Sequence, residues 1–323
     1  MTEPLRPMST GQLLDHTFAL YRKNFLLFVG IATVGPAASV IFQLFTVGAN
    51  VGMPFSASSR MASSAAMARL GLGMVFGYLV LLAGMAISHA ATVKAVAAVH
   101  LGRETSVVGA YQALRGRILS LFGTCGLILL WMVLWMMLAV LAITIVMIPL
   151  GMAIAAMGRA GRPSSAAAVG AGIVMIVTMV LAFAGFIAIY VRYALAVQAC
   201  VVEDLGPRAS IKRSILLSKG SRMRVVAIYL VFFLLSFILG AGLGALAGGI
   251  GSVIHNGIAA AVLIYLASFI AGSLTGPLAT IGLSLLYYDE RVRKEAFDLQ
   301  LMLSSLEAPG LPIVPPAPTP AQI

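Results

Sequence analysis

The segment ILSLFGTCGLILLWMVLWMMLAVLAITIVMI, Ile118–Ile148, decides the fold: 31 consecutive residues carry no charged side chain. A helix rises 1.5 Å per residue, so about 20 apolar residues are enough to cross roughly 30 Å of hydrocarbon. Inside lipid the backbone must satisfy its own hydrogen bonds, and a helix does this within one segment. The tract is longer than an upright helix needs. It therefore either tilts or continues past Pro149 as an interfacial turn before Arg159 and Arg162.

Five further apolar tracts flank it, near Phe25–Ala49, Leu70–Val93, Ala166–Val191, Val225–Gly249 and Ile258–Leu286. Together they predict an all-α, polytopic integral membrane protein with six transmembrane helices arranged as three hairpins. Composition agrees. Of 323 residues, 61% are hydrophobic and 10% charged, against about 45–50% and about 25% in soluble domains. So few charges do not cover a water-soluble surface of this size.

The formal charge of +11 sits at the edges of the apolar tracts. It reads as membrane orientation facing anionic headgroups, not as a nucleic-acid surface. With six spans and the amino end inside, Arg60, Arg69, Arg159 and Arg162 alone fall outside, giving 17 basic residues inside against 4 outside. Basic residues near span ends favour the cytoplasmic side, so both termini are expected there. All ten acidic residues also fall inside. The polar start before the first tract suits a signal anchor better than a cleaved signal, although Phe55–Ser59 imitates a cleavage site. Cys125 and Cys200 lack a metal-ligand spacing and read as small apolar fillers or a cytosolic-side thiol.

The inside segments resemble one another. Leu101-Gly102-Arg103-Glu104-Thr105-Ser106, followed by Arg115-Gly116-Arg117, parallels Leu205-Gly206-Pro207-Arg208-Ala209-Ser210, followed by Lys219-Gly220-Ser221, at an offset of 104 residues. Leu13 to Tyr21 before Arg22-Lys23 is a looser version. Three units follow, each a short interfacial helix and a two-span hairpin. Such helices are expected to place apolar residues in the acyl boundary and basic residues toward phosphate.

After the last tract, Tyr288, Val292, Ala296, Leu299 and Leu303 recur at helical spacing. Asp289–Arg293, Glu290–Lys294, Arg291–Glu295 and Lys294–Asp298 stand four apart, each worth tenths of a kcal/mol in an exposed helix. The chain thus divides into a cytoplasmic amphipathic segment (1–24), a six-span domain (25–286) with interfacial helices near 105–117 and 207–219, a charged helix (287–305) and a disordered Pro-rich tail (306–323). Gly240, Gly244 and Gly248, like Gly73 and Gly77, are spaced for close helix approach or for a lipid or substrate groove.

Glu203-Asp204-Leu205-Gly206-Pro207-Arg208-Ala209-Ser210-Ile211-Lys212-Arg213-Ser214, then Leu217-Ser218-Lys219-Gly220, then Leu285 through Leu299 together resemble the bacterial family called the membrane domain of glycerophosphoryl diester phosphodiesterase. The resemblance covers Gly11 to Leu299. It departs at Ala296, often Gly in that family, and at Met223, often aromatic. It implies a multispan module of the bacterial cytoplasmic membrane, with no activity of its own assigned. The phosphodiesterase name belongs to a soluble domain fused to some members. Such hydrolysis needs carboxylates and histidines gathered on a cation, whereas His16, His89, His100 and His255 are dispersed.

No catalytic, cofactor or metal residues are therefore assigned. The candidate structural or lipid-facing motif is Arg208, Lys212, Arg213, Lys219, Asp289, Arg291, Arg293, Glu295 and Asp298, with Arg222 and Arg224 beside it. Within it, Arg213 or Lys212 is expected to pair with Glu295 or Asp298, and anionic lipid competes as the partner. His89 and Lys94 suggest a proton relay, set against a cross-helix hydrogen bond and a snorkelling lysine. The leading function is a noncatalytic scaffold or regulatory subunit with a membrane protein partner. A transporter or lipid-handling protein is the alternative, with Pro277 interrupting the last span. An intramembrane enzyme is disfavoured for lack of a nucleophile and base.

Overall fold

The computed structural model describes residues 8–51, 64–100, 102–160, 165–254 and 256–295. Among them the chain forms eleven α-helices: α1 (Thr10–Lys23), α2 (Phe25–Ala32), α3 (Val34–Val51), α4 (Ser64–His100), α5 (Val107–Gln112), α6 (Ile118–Arg159), α7 (Ser165–Arg192), α8 (Ala196–Val202), α9 (Pro207–Ser218), α10 (Arg222–Ile254) and α11 (Gly257–Glu295). Six helical stretches are long and apolar enough to cross a membrane, giving an all-α multi-pass fold. The three expected hairpins are present as α3 on α4, α6 on α7 and α10 on α11. A short helix, α1, α5 or α9, precedes each of them.

The first and third hairpins form the core, because α11 packs against α1, α2, α3, α4 and α10. The second hairpin joins them through α4, α8, α9 and α10. Much of its outward surface is apolar and exposed, including Leu119, Met137, Leu181 and Phe183. Water would penalise such a surface, while hydrocarbon solvates it.

Three tracts differ from the sequence expectation. The first is broken at Thr33. Pro36 has no N–H to offer the Ala32 carbonyl four residues back. Ser88 of α4 instead donates to the carbonyls of Ala32 (3.4 Å) and Ile31 (3.2 Å), and the Tyr111 hydroxyl of α5 donates to Ile31 at 2.6 Å. The third tract does not turn at Pro149; α6 continues through it for 42 residues, about 63 Å at the helical rise. The third difference is that the last span and the charged helix are one element. The helix α11 runs through Glu295 without interruption and buries Pro277 along the way.

The glycine stripe is a further correction. A Cβ placed at Gly240, Gly244 or Gly248 meets nothing within 4 Å, so these residues do not mediate close helix contact. Such contacts occur at Gly84 against Ala38 and at Gly251 against Ala260, where an added Cβ would fall 2.5 Å and 2.7 Å from the neighbouring Cβ.

Met8 donates its backbone N–H to Asp289 at 2.6 Å. The start of α1 and the end of α11 therefore lie at the same end of the bundle. His255, Asp298, the remaining stripe residues Ala296, Leu299 and Leu303, and the 306–323 segment lie outside the described residues.

Candidate functional site

Charged residues converge at this shared end through two linked groups. Arg213 on α9 is the centre of the first. Its Nε lies 2.8–2.9 Å from both oxygens of Glu203, which caps the end of α8, and its Nη2 lies 2.7 Å from Glu295 Oε2 at the end of α11. A second nitrogen, Nη1, reaches Glu295 Oε1. This planar fork suits paired carboxylates in a way a lysine does not. Glu203 also accepts the Tyr287 hydroxyl and faces Arg291 at 3.5 Å. Arg291 stands over the Tyr287 ring, 5.9 Å from its centroid, and contacts Glu295 at 3.3 Å.

Burial opposes the charge on Arg213. The hydrogen bonds and charges of Glu295 and Glu203 outweigh that cost, so its guanidinium is held protonated more firmly than usual.

Arg224, at the start of α10, organises the second group. It contacts Asp289 at 2.6 Å and Glu290 at 2.9 Å, and donates to the Met8 carbonyl at 2.9 Å. Arg293 binds Asp289 at 2.9 Å and the same carbonyl at 2.6 Å. Lys294 pairs with Glu290 at 3.1 Å and donates to the carbonyls of Leu217 and Lys219 at 2.6 and 2.8 Å. A cation is thereby placed on the unsatisfied end of α9, where the helix dipole favours it.

These are not the exposed helix pairs that the spacing suggested. The Asp289, Glu290, Glu203 and Arg291 side chains are 0%, 3%, 4% and 4% exposed. Buried charges hold together only when their hydrogen-bonding groups find partners, and loss of one member leaves another stranded. The clustered carboxylates accept from cations, a tyrosine and a backbone amide. This arrangement ties the start of α1, the α8–α9 junction, α9, α10 and α11 together.

Local sequence explains how α9 reaches this position. Gly206 precedes the helix, Pro207 occupies its first turn and Gly220, at φ +91°, follows it. Ser210, Ser214 and Ser218 recur every four residues on its buried face. Ser214 donates to the Arg192 carbonyl at 3.0 Å and accepts the Leu195 N–H at 3.2 Å, serving backbone left open where α7 breaks before α8. Thus α9 buries its serine face against protein, and its other side exposes Arg208, Lys212 and Leu216. Its basic residues diverge: Arg213 turns inward, while Arg208, Lys212 and Lys219 are exposed.

His89 and Lys94 have separate partners. His89 Nδ1 meets the Thr280 hydroxyl at 2.9 Å, joining α4 to α11. Lys94 approaches Asp204 at 3.9 Å, and Arg117 reaches the same carboxylate at 3.2 Å. Among the described residues, no group of three or more His, Cys, Asp or Glu side chains is placed to hold a metal ion.

The expected Arg213–Glu295 pair, Asp289, Arg291 and Arg293 all belong to the cluster. Lys219 contributes only its carbonyl, while Arg208 and Lys212 remain outside. Glu203, Glu290, Tyr287, Lys294 and the Met8 backbone complete the arrangement without belonging to the expected motif. Glu203 was marked only by its place in the Glu-Asp-Leu-Gly-Pro run; Met8 carried no signal. Comparisons with protein-family models, curated proteins and solved structures gave no match.

Proposed function

We propose that this chain is a noncatalytic membrane module, a scaffold or regulatory subunit beside a membrane or envelope process, with its charged end in the cytoplasm of a bacterium. The ionic cluster carries this reading. Its carboxylates are used to fasten helices to one another, while Arg208, Lys212, Lys219 and Arg222 remain exposed. That combination favours a rigid end with a basic surface over a reacting centre, which would need an addressable nucleophile or base. The paired sequence motifs support membership among the membrane domains of glycerophosphoryl diester phosphodiesterases. The short helix before each hairpin supports a threefold internal repeat. The bias of basic residues supports the inner-membrane orientation.

Photocrosslinkers at Lys219 and Arg222, both exposed, in native membranes, combined with flux measurements in proteoliposomes, test the role. One discrete protein adduct is expected from both positions, with solute and lipid flux equal to that of empty vesicles. Protein-dependent flux, or adducts with lipid alone, overturns the scaffold assignment. Impermeant labelling of cysteines at Lys212 and Arg222 tests orientation: labelling only after cell permeabilisation is expected, and labelling in intact cells reverses it.

A further inference from the structure

A groove of about 770 Å³ opens between α6 and the first turn of α9, lined by Gly123, Gly126, Leu127, Leu130, Pro207 and Arg208. Close contact at one end creates it: a Cβ at Gly123 would lie 2.6 Å from the Pro207 ring, while one at Gly126 would meet nothing within 4 Å. The apolar part follows α6 from Gly123 to Leu130, about 10 Å of helix. Arg208 stands at its mouth, with Lys212 one turn further along α9.

Both cations are exposed, and neither forms an ion pair among the described residues. The neighbouring carboxylates already have partners: Asp204 has Lys94 and Arg117, and Glu203 has Arg213 and Arg291. An open apolar groove on a spanning helix therefore meets Arg208 at the charged end of the bundle, with Lys212 one turn beyond it. We propose that this groove holds one anionic phospholipid, with an acyl chain along Gly126, Leu127 and Leu130 and the headgroup phosphate at Arg208 and Lys212. Charge complementarity at a fixed depth selects this lipid over a zwitterionic one.

The assignment rests on the membrane-spanning reading and not on a scaffold role. Its test uses the two tryptophans, Trp131 and Trp135, both of which lie on α6 beyond Leu130. The full chain is reconstituted in bilayers containing brominated phosphatidylglycerol or brominated phosphatidylcholine, and tryptophan quenching gives their relative affinity. The expected preference for phosphatidylglycerol is between about fivefold and about thirtyfold, the scale of one to two basic contacts at a membrane surface.

Arg208→Ala with Lys212→Ala should bring this preference to parity with helix content unchanged, since neither residue belongs to the ionic cluster. Gly126→Leu should do the same by filling the groove, while Arg208→Lys should retain most of the preference. Equal quenching by the two lipids in the unmodified chain overturns the proposal. A preference that survives the double substitution, or one abolished by millimolar inorganic phosphate, also overturns it. Quenching by neither lipid would instead fail the membrane-spanning reading.

Discussion

Arg213 Nη2 lies 2.7 Å from Glu295 Oε2 although 82 positions separate the two residues in the chain, and the same nitrogen holds Glu203 Oε1 at 2.8 Å. One guanidinium therefore fastens two carboxylates from different elements, and a simple charge swap does not restore the arrangement. Arg213→Glu or Glu295→Arg should each cost roughly 3 kcal/mol, the scale for losing one partner of a largely buried pair. Combined, they should recover less than half of the loss: the reversed carboxylate faces Glu203 and the reversed cation faces Arg291. Unfolding midpoints in mild detergent measure this. Full recovery would show an isolated pair, and strictly additive losses would show that the two residues do not interact.

Asp289 closes the amino end of the described chain onto the end of α11. Asp289→Asn retains the shape but removes the charge facing Arg224 and Arg293 while weakening the acceptor for Met8 N–H. The expected cost is about 2–4 kcal/mol, with faster hydrogen exchange over Thr10–Lys23. Asp204→Asn supplies the contrast because its side chain is 49% exposed; its expected cost is under about 1 kcal/mol. Equal effects would contradict the burial difference on which this prediction rests.

The six spans and their pairing were legible because hydrocarbon demands long apolar helices. Arg213 and Glu295 were legible as partners because both segments were assigned to one face. Burial of the cluster was not legible: Asp289–Arg293 and Glu290–Lys294 have the same four-residue spacing on an exposed helix or inside a protein. Nor does a local pattern reveal that Met8 reaches Asp289 across the fold. The glycine stripe misled for a related reason. Spacing identifies which residues share a helix face, but not whether another helix lies against that face. The break at Thr33 follows from Pro36 in retrospect, yet Pro149 and Pro277 occur within continuous helices. Partners for freed carbonyls, supplied here by Ser88 and Tyr111, depend on tertiary packing.

Glycine substitutions separate these two environments. Gly84→Leu and Gly251→Leu force a side chain into Ala38 and Ala260 and should cost about 1–3 kcal/mol by overpacking. Gly240→Ala and Gly244→Ala point into open space and should stay within about 0.5 kcal/mol of the parent. Thermal unfolding of the four variants in one detergent checks the ordering. Comparable destabilisation at Gly244 and Gly251 would return the close approach to the stripe and overturn the contact pattern described above.

The serines of α9 give a prediction about how this helix is seated. Ser214 donates to the Arg192 carbonyl and accepts the Leu195 N–H; the Arg192 carbonyl keeps Ser218 as a second donor at 3.4 Å, so Ser214→Ala strands the Leu195 N–H beside a buried methyl. The expected loss is about 1–3 kcal/mol, set by unsatisfied buried polar groups and not by side-chain volume. Exchange of the Leu195 amide should quicken, and the bonds of the adjacent Arg213 should loosen with it. Ser252 donates only to Gly249 within its own helix on an exposed face, so Ser252→Ala should leave stability unchanged. If Ser214→Ala is equally silent, the Ser214 bonds contribute nothing to the seating of α9, which is then held by the ionic cluster and the remaining serines.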